Sequence, residues 1–401
     1  TKCYSPFFIF IVERIKGMKQ IYLDNAATTS LSPEVLEAMM PYLTYEYGNP
    51  SSNYPLGVLA RQAVGKARHT IAESIGAKDE EIYFTSGSTE SINWVIHEMA
   101  LQNARVAYSA IEHHAVTNAV KGMIKYSYEI PIDSEGVITV GAVQDVLTHY
   151  NPDLICTMYA NNEVGTIEPI TQISRLCESQ KRLLFVDATQ AYMHIPVSVD
   201  DKRISYLCAS AHKFHGPKGV GFLYVSKDAP IHSYHFGGQQ ENGLRAGTEN
   251  VAGIVGMAKA VEIAQKSLLD SLEKERRLVV RLWDELRQKT PNLTLNGYDS
   301  FSVPSPFLMR LPNNLNVCVK GVDSAELVEL MGEVGVCISA GSACNSQDSE
   351  PSHVLKAIGL SDEDARSSVR FSIGDDTTEA DIDEAANCFA NCVNRLRLYK
   401  A

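Results

Sequence analysis

Lys213 stands in the segment SAHKFHGPKG, behind an apolar run, beside Ser210 and His212, and ahead of a Gly-Pro-Lys-Gly turn. A lysine at a strand end, next to hydroxyl and imidazole groups, can form a Schiff base with an aldehyde cofactor whose phosphate those neighbours hold. The competing reading is a solvated loop lysine. Asp187 ends the apolar run of LLFVDATQ, 26 residues before Lys213. Paired with a pyridine nitrogen, such an aspartate keeps that nitrogen protonated and makes the ring an electron sink. Its competing role is a cap on the following segment. On consecutive strands, the two residues fit opposite ends of one ring.

Three further segments bear on the same chemistry. TSGSTE (85–90) follows the run EEIYF and precedes a helical pattern, and its small residues let backbone N–H groups approach a phosphate at a helix N-terminus. A Gly-Ser-Thr turn is also an ordinary helix cap. EHHAV (112–116) supplies His113, whose ring can stack on a cofactor or move a proton, or simply pack. Cys344 lies in GSACNSQDSEPS, where glycines and serines predict an exposed segment in which a thiol can be reached and can ionise. Cys156, Cys208, Cys318 and Cys337 sit in apolar runs and are expected to be small buried packing residues.

The elements that must position these groups read as an α/β pattern. From about residue 30 to 265, helix-length segments alternate with EEIYFTSG, ARVAYSA, LICTMYANNE, LLFVDATQ, YLCASAHK and VGFLYVS. Runs of this kind predict a mostly parallel sheet covered on both faces, with its ligand at the carboxyl ends of the strands. A long helical pattern at about 250 to 290 and then the runs LNVCV, GVCIS and SSVRFSIG, closed by a helix at about 378 to 398, predict a smaller α+β unit. The expected division is a large domain over 30–267 and a small one formed by 18–29 with 268–401. Residues 1–17 read as a non-native or disordered extension, and their apolar run FFIFIV is too short for a membrane anchor.

Composition narrows the functional class. The chain has 401 residues and a formal net charge of −12, with 36 basic residues scattered among 48 acidic ones, which gives no footprint for nucleic acid or an anionic membrane. Nine cysteines without CxxC or zinc spacing exclude a disulfide scaffold and predict a reducing, cytoplasmic compartment. No GxGxxG follows an early strand, so a nicotinamide site is disfavoured.

Read together, the motifs YLDNAATT, GNPSS, FTSGSTESIN, EHHAV, NNEVGTIEP, VDATQ, SAHKFHGPKG, LRAGTENV, GSACNS and SSVRFSIG resemble, in order and from about Ile21 to Arg397, the cysteine desulfurases. This is a branch of the class V aminotransferase superfamily with the type I pyridoxal-phosphate fold, and the long segment after Cys344 resembles its NifS/IscS-like group. The resemblance implies Lys213 as the Schiff-base lysine, Asp187 at the pyridine nitrogen, Gln190 at the phenolic oxygen and His113 stacked on the ring. It implies Thr89, Ser210 and His212 at the phosphate, with Ser88 beside them where some relatives have alanine, and Thr248 reaching in from a second subunit. Asn162 and Arg370 would receive the substrate carboxylate. Cys344 would take sulfur from L-cysteine as a persulfide, leaving L-alanine, and pass it to an acceptor or iron-sulfur scaffold protein. A homodimer is implied. A selenocysteine lyase or a class V aminotransferase would share the lysine and aspartate, but the aminotransferase has no need of Cys344.

Overall fold

The computed structural model describes residues 19–200, 203–301, 308–341 and 350–400. Strand β1 (Ile21–Tyr22) is followed by helices α1 (Pro33–Thr44) and α2 (Pro55–Ile75). Then come β2 (Ile82–Thr85), α3 (Ser88–Leu101), β3 (Arg105–Ser109), α4 (His114–Met123), β4 (Tyr126–Ile130), α5 (Val140–Tyr150) and β5 (Leu154–Met158). Helix α6 (Ile170–Ser179) leads to β6 (Leu183–Asp187), β7 (Tyr206–Ser210) and β8 (Gly221–Val225). These strands form one seven-stranded sheet in the order β2-β8-β7-β6-β5-β3-β4. Only β8 runs antiparallel to its neighbours.

Because the remaining strands point the same way, the carboxyl ends of β2, β3, β5, β6 and β7 share one edge of the sheet. The amino end of β8 lies there too, since Gly221 pairs with both Thr85 and Ser210. The segments TSGST, EHH, YANN, DATQ and SAHK all leave from that edge.

The strands read as unbroken apolar runs because both faces of the sheet are covered. Ile155, Leu184, Val186, Leu207 and Ala209 face one core, while Leu154, Cys156, Phe185, Tyr206 and Cys208 face another. Burial of alternate residues on opposite sides is what a strand with period two requires. Strand β4, with the sequence YSYEI, does not stand out in this way. It sits at the end of the sheet, mostly uncovered, so nothing demands an apolar run.

Helix α7 (Val251–Lys289) is a single helix of 39 residues. Its first part packs Ile254, Met257 and Val261 against the first core, and its last part packs Leu278, Leu282 and Leu286 into a separate one. That second core is closed by β9 (Leu293–Leu295), β10 (Asn314–Val319), α8 (Ser324–Glu333), β11 (Val336–Cys337), β12 (Ser368–Ser372) and α11 (Glu379–Lys400), with α9 (His353–Ala357) and α10 (Asp362–Arg366) between β11 and β12. Strand β10 lies between β12 and β9, antiparallel to both. Strand β1 pairs with β11, so Ile21 and Leu23 join this core from the other end of the chain. Cys156, Cys208 and Cys318 are buried as expected, whereas Cys337 is half-buried, its short strand having β1 as its sole ladder partner among the described residues.

Candidate active site

A cavity of about 210 Å³ opens at the shared strand edge. Lys213, Asp187, His113, Gln190, Ser88, Thr89, Ser210, His212, Asn162 and Arg370 all line it, although they come from six separate stretches of sequence. Thr248 does not. It lines a different cavity, with Glu241 and Arg245. Cys344 lies outside the described residues.

Lys213 ends a short 3-10 turn after β7. Its Nζ donates to the carbonyls of Ala26 at 2.7 Å and Ala27 at 2.8 Å. Those carbonyls belong to YLDNAATT, so the motif after β1 holds the amine of the lysine after β7. Gln190 Nε2 donates to the same Ala26 carbonyl at 3.0 Å.

Asp187 is the last residue of β6 and is almost fully buried. Its Oδ1 accepts from Thr189 N–H at 3.0 Å and from the Thr189 hydroxyl, and Cys208 Sγ lies 3.7 Å from the same oxygen. His113 caps helix α4, its Nδ1 accepting from Ala115 N–H at 3.1 Å. Burial lowers the affinity of this ring for a second proton, and the charge of Lys213 adds to the effect while that of Asp187 opposes it. The neutral ring, accepting at Nδ1, therefore carries its proton on Nε2.

The N-terminus of α3 opens onto the cavity. Gly87 stands at its cap with φ 149°, a conformation that side chains rarely allow. A Cβ on the neighbouring Gly221 would come within 2.7 Å of Gly87 Cα, so backbone packs on backbone here. Ser88 N–H donates to Ser210 Oγ at 2.8 Å. His212 Nδ1 lies 3.1 Å from Thr28 Oγ1, and burial, together with Lys213 and Lys218, pushes its pKa down to about 4.

At the other end, Arg370 is 1% exposed on β12. Its Nη1 donates to the Asn162 carbonyl at 2.8 Å and its Nη2 to Asp24 Oδ1 at 2.7 Å. Arg370 Nε is buried and makes no hydrogen bond among the described residues. Asp24 and Thr189 are members of this site that sequence reasoning passed over, and Cys208, expected only as a small buried packing residue, meets Asp187 as well. Asp24 had a signal, an acid just past an apolar pair in YLDNAATT, whereas Thr189 meets Asp187 through the local turn after β6 and Cys208 meets it only through sheet pairing.

The donor set suits pyridoxal phosphate. A primary amine, a buried carboxylate with one oxygen open, a neutral imidazole and a helix N-terminus with small residues match its aldehyde, ring nitrogen, ring face and phosphate in turn. The unpartnered Arg370 Nε marks a place for a further acceptor, such as a carboxylate.

Residues 21–385 match the family described as aminotransferase class-V. The chain is 39% identical over 386 residues to cysteine desulfurase IscS of Clostridium botulinum, spanning 94% of this chain and 96% of that one. A solved NifS-like protein superposes with a TM-score of 0.86 at 33% identity, covering 94% of this chain and 100% of the other. The structure of SspA in complex with cysteine superposes with a TM-score of 0.74 at 31% identity, covering 88% and 99%. Among the described residues, no helix is long and apolar enough to cross a membrane.

Proposed function

The chain belongs to the class-V aminotransferase family, and on that premise we propose that it is a pyridoxal-phosphate-dependent cysteine desulfurase converting L-cysteine to L-alanine. The observation that carries this reading is the meeting of Lys213, Asp187, His113 and the α3 N-terminus around one cavity that ends at Arg370.

Bound pyridoxal phosphate supplies an aldehyde for the substrate amine and a protonated ring that draws electrons from the α-carbon. Lys213 Nζ, steered by the Ala26 and Ala27 carbonyls, moves protons to and from that carbon. Asp187 would place a negative charge at the ring nitrogen, and Gln190 would serve the phenolic oxygen. His113 would pack its neutral ring against the cofactor with an Nε2–H to donate. Thr89, Ser88, Ser210 and His212 would hold the phosphate at the helix N-terminus.

Arg370 receives the substrate carboxylate beside Asn162, its guanidinium already oriented by Asp24 and by the Asn162 carbonyl. Cys344 attacks the substrate sulfur. The carbon–sulfur bond breaks, a sulfur–sulfur bond forms, and Cys344 is left as a persulfide while the three-carbon remainder leaves as alanine. The sulfur then passes to an acceptor protein, an iron-sulfur scaffold or a carrier for another thio-cofactor.

The working form is a cytoplasmic homodimer. Leu36, Leu43 and Leu59 on α1 and α2, with Tyr45, Tyr47 and Tyr54 between the helices, are exposed large apolar side chains available to a second copy, and Thr248 would serve the partner's phosphate site. Within each subunit, residues 30–267 form the large domain and 18–29 with 268–401 the small one.

The test is to incubate purified protein with L-cysteine and to assay alanine and sulfide with and without reductant. Alanine should form in both cases, and sulfide should be released catalytically only when reductant discharges the persulfide. Pyruvate, or sulfide without alanine, would point to a lyase instead. Cys344→Ala should keep the cofactor but lose turnover by orders of magnitude.

A further inference from the structure

Four side chains run in a line along the cavity from Asp187 to the phosphate seat. The Thr189 hydroxyl touches Asp187 Oδ1 and lies 2.6 Å from the Ser88 hydroxyl, which lies 2.9 Å from that of Ser210. Counting protons fixes the direction of the line. An ionised carboxylate has none to give, so the Thr189 hydroxyl donates to Asp187. The heavy-atom geometry would let Thr189 Oγ1 donate to Ser88 Oγ as well, at 2.6 Å, but its single proton is committed to the carboxylate, so Ser88 O–H is assigned as the donor to Thr189 Oγ1. Ser210 has one hydroxyl proton, to be given either to Ser88 Oγ or to a phosphate at the helix N-terminus. The Ser88 N–H keeps Ser210 Oγ in place in both cases, at 2.8 Å.

Cys208 lies under this line. It is fully buried in the sheet, paired in register with Asp187, and its Sγ is 3.7 Å from Asp187 Oδ1. Burial and the charge of Asp187 keep it a thiol, so it donates. Three donors therefore converge on Oδ1: Thr189 N–H, Thr189 O–H and Cys208 S–H. No hydrogen bond from the described residues reaches Oδ2. Gathering the donors on one oxygen leaves the other as the open acceptor.

We propose that Ser88, Thr189 and Cys208 are positioning residues that occupy Oδ1 of Asp187 and leave Oδ2 open, so that one hydroxyl line joins the phosphate seat to the carboxylate facing the ring nitrogen. This rests on the reading of the cavity as a pyridoxal-phosphate site. Ser88 is the link in the line. Its backbone serves the phosphate end while its hydroxyl serves Asp187, and alanine at this position would keep the first role and lose the second.

The test uses the holoenzyme and four variants, Ser88→Ala, Thr189→Val, Cys208→Ala and Cys208→Ser, with Asp187→Asn as the reference. Three readouts are the pH titration of the bound cofactor's visible absorption, its phosphorus NMR shift and its dissociation constant. Thr189→Val should weaken retention by roughly 10- to 100-fold, the loss of a hydrogen bond to a charged group. It should also move the titration midpoint in the direction that Asp187→Asn does. Ser88→Ala should do the same by about 5-fold, as for a neutral hydrogen bond. Cys208→Ala should shift the midpoint, and Cys208→Ser, which keeps a donor, should restore it. If Ser88→Ala moves only the phosphorus signal, Ser88 is a phosphate ligand and the line is wrong. If the variants lower the melting temperature without moving the midpoint, their role is packing and the proposal falls. An unmoved midpoint in Asp187→Asn would instead remove Asp187 from the ring, a failure of the cofactor reading itself.

Discussion

Asp187 and Glu112 are neighbouring carboxyl groups that the fold treats in opposite ways. Asp187 ends β6 at the cavity, with three donors on one oxygen and the second oxygen open. Glu112 lies fully buried behind the cavity wall, its Oε1 accepting from Met158 N–H at 2.6 Å and its Oε2 meeting no partner among the described residues. Burial, reinforced by the charge of Asp187, raises Glu112 well above the usual carboxylate range. Glu168 repeats the pattern, with Oε2 accepting from Ile138 N–H at 2.8 Å and Oε1 unpartnered. Glu112 and Glu168 each keep one backbone donor and are raised by burial, whereas three donors gather on one oxygen of Asp187 at the cavity.

The largest expected effect tests the charged member. Asp187→Asn keeps the shape but removes the charge at the ring nitrogen, so turnover of L-cysteine should fall by about 10²- to 10³-fold, the scale of losing one aligned electrostatic contact. Glu112→Gln should change turnover by less than about 3-fold, because a neutral amide replaces an already neutral acid. Equal losses in the two variants, measured as alanine formed per active site, would erase the contrast.

Next in size is the substrate end. Arg370 holds two partners and leaves Nε open, which suits a ligand that comes and goes, unlike the filled Oδ1 of Asp187. Arg370→Lys loses the planar fork, and KM for L-cysteine should rise roughly 10- to 100-fold. Cofactor affinity, followed by dialysis, should stay within about 2-fold, since the guanidinium serves the substrate. Loss of cofactor with unchanged KM would place Arg370 on the wrong ligand.

This contrast also separates what the sequence made legible from what it did not. Asp187, Lys213 and Ser88 could be found because each follows an apolar run, and strand ends on one sheet edge must meet, whereas His113 was raised above a packing residue by the family motif. Arg370 lies within a strand of the small sheet, so its segment was recognised through the family motif, not through its position at an edge. Asp24 and Cys208 depend on contacts between residues distant in sequence, and Thr189, two residues from Asp187, gains its second contact from the distant Ser88. Cys208 in particular is an ordinary buried apolar residue by pattern, and only its register opposite Asp187 turns its thiol toward a carboxylate. Strand β4 was unread for the opposite reason, an edge strand with too little burial to write an apolar run.

The smallest expected effect concerns stability and the neutral member of the contrast. Burial raises Glu168 to about 8 in the folded protein, against about 4.5 for an exposed group. The folded state then holds a proton that the unfolded chain releases above pH 4.5, so this contribution is complete below that pH and is lost as pH rises toward 8. His113, His194, His212 and His353 act on the other side, because burial lowers each of them. Below about pH 6.5 the unfolded chain takes up protons that the folded rings refuse, and stability falls with acid. Wild-type melting temperature should therefore decline on both limbs. Glu168→Gln keeps the acceptor for Ile138 N–H and removes the titrating proton, so it should flatten the alkaline limb and leave the acid limb alone. Relative to wild type, the variant should gain roughly 2–4 °C between pH 5 and pH 8, followed by circular dichroism at fixed protein concentration. A wild-type minus variant difference that stays constant across this range would mean that Glu168 is ionised in the fold, and that an unpartnered oxygen is not what marks a carboxyl group kept neutral.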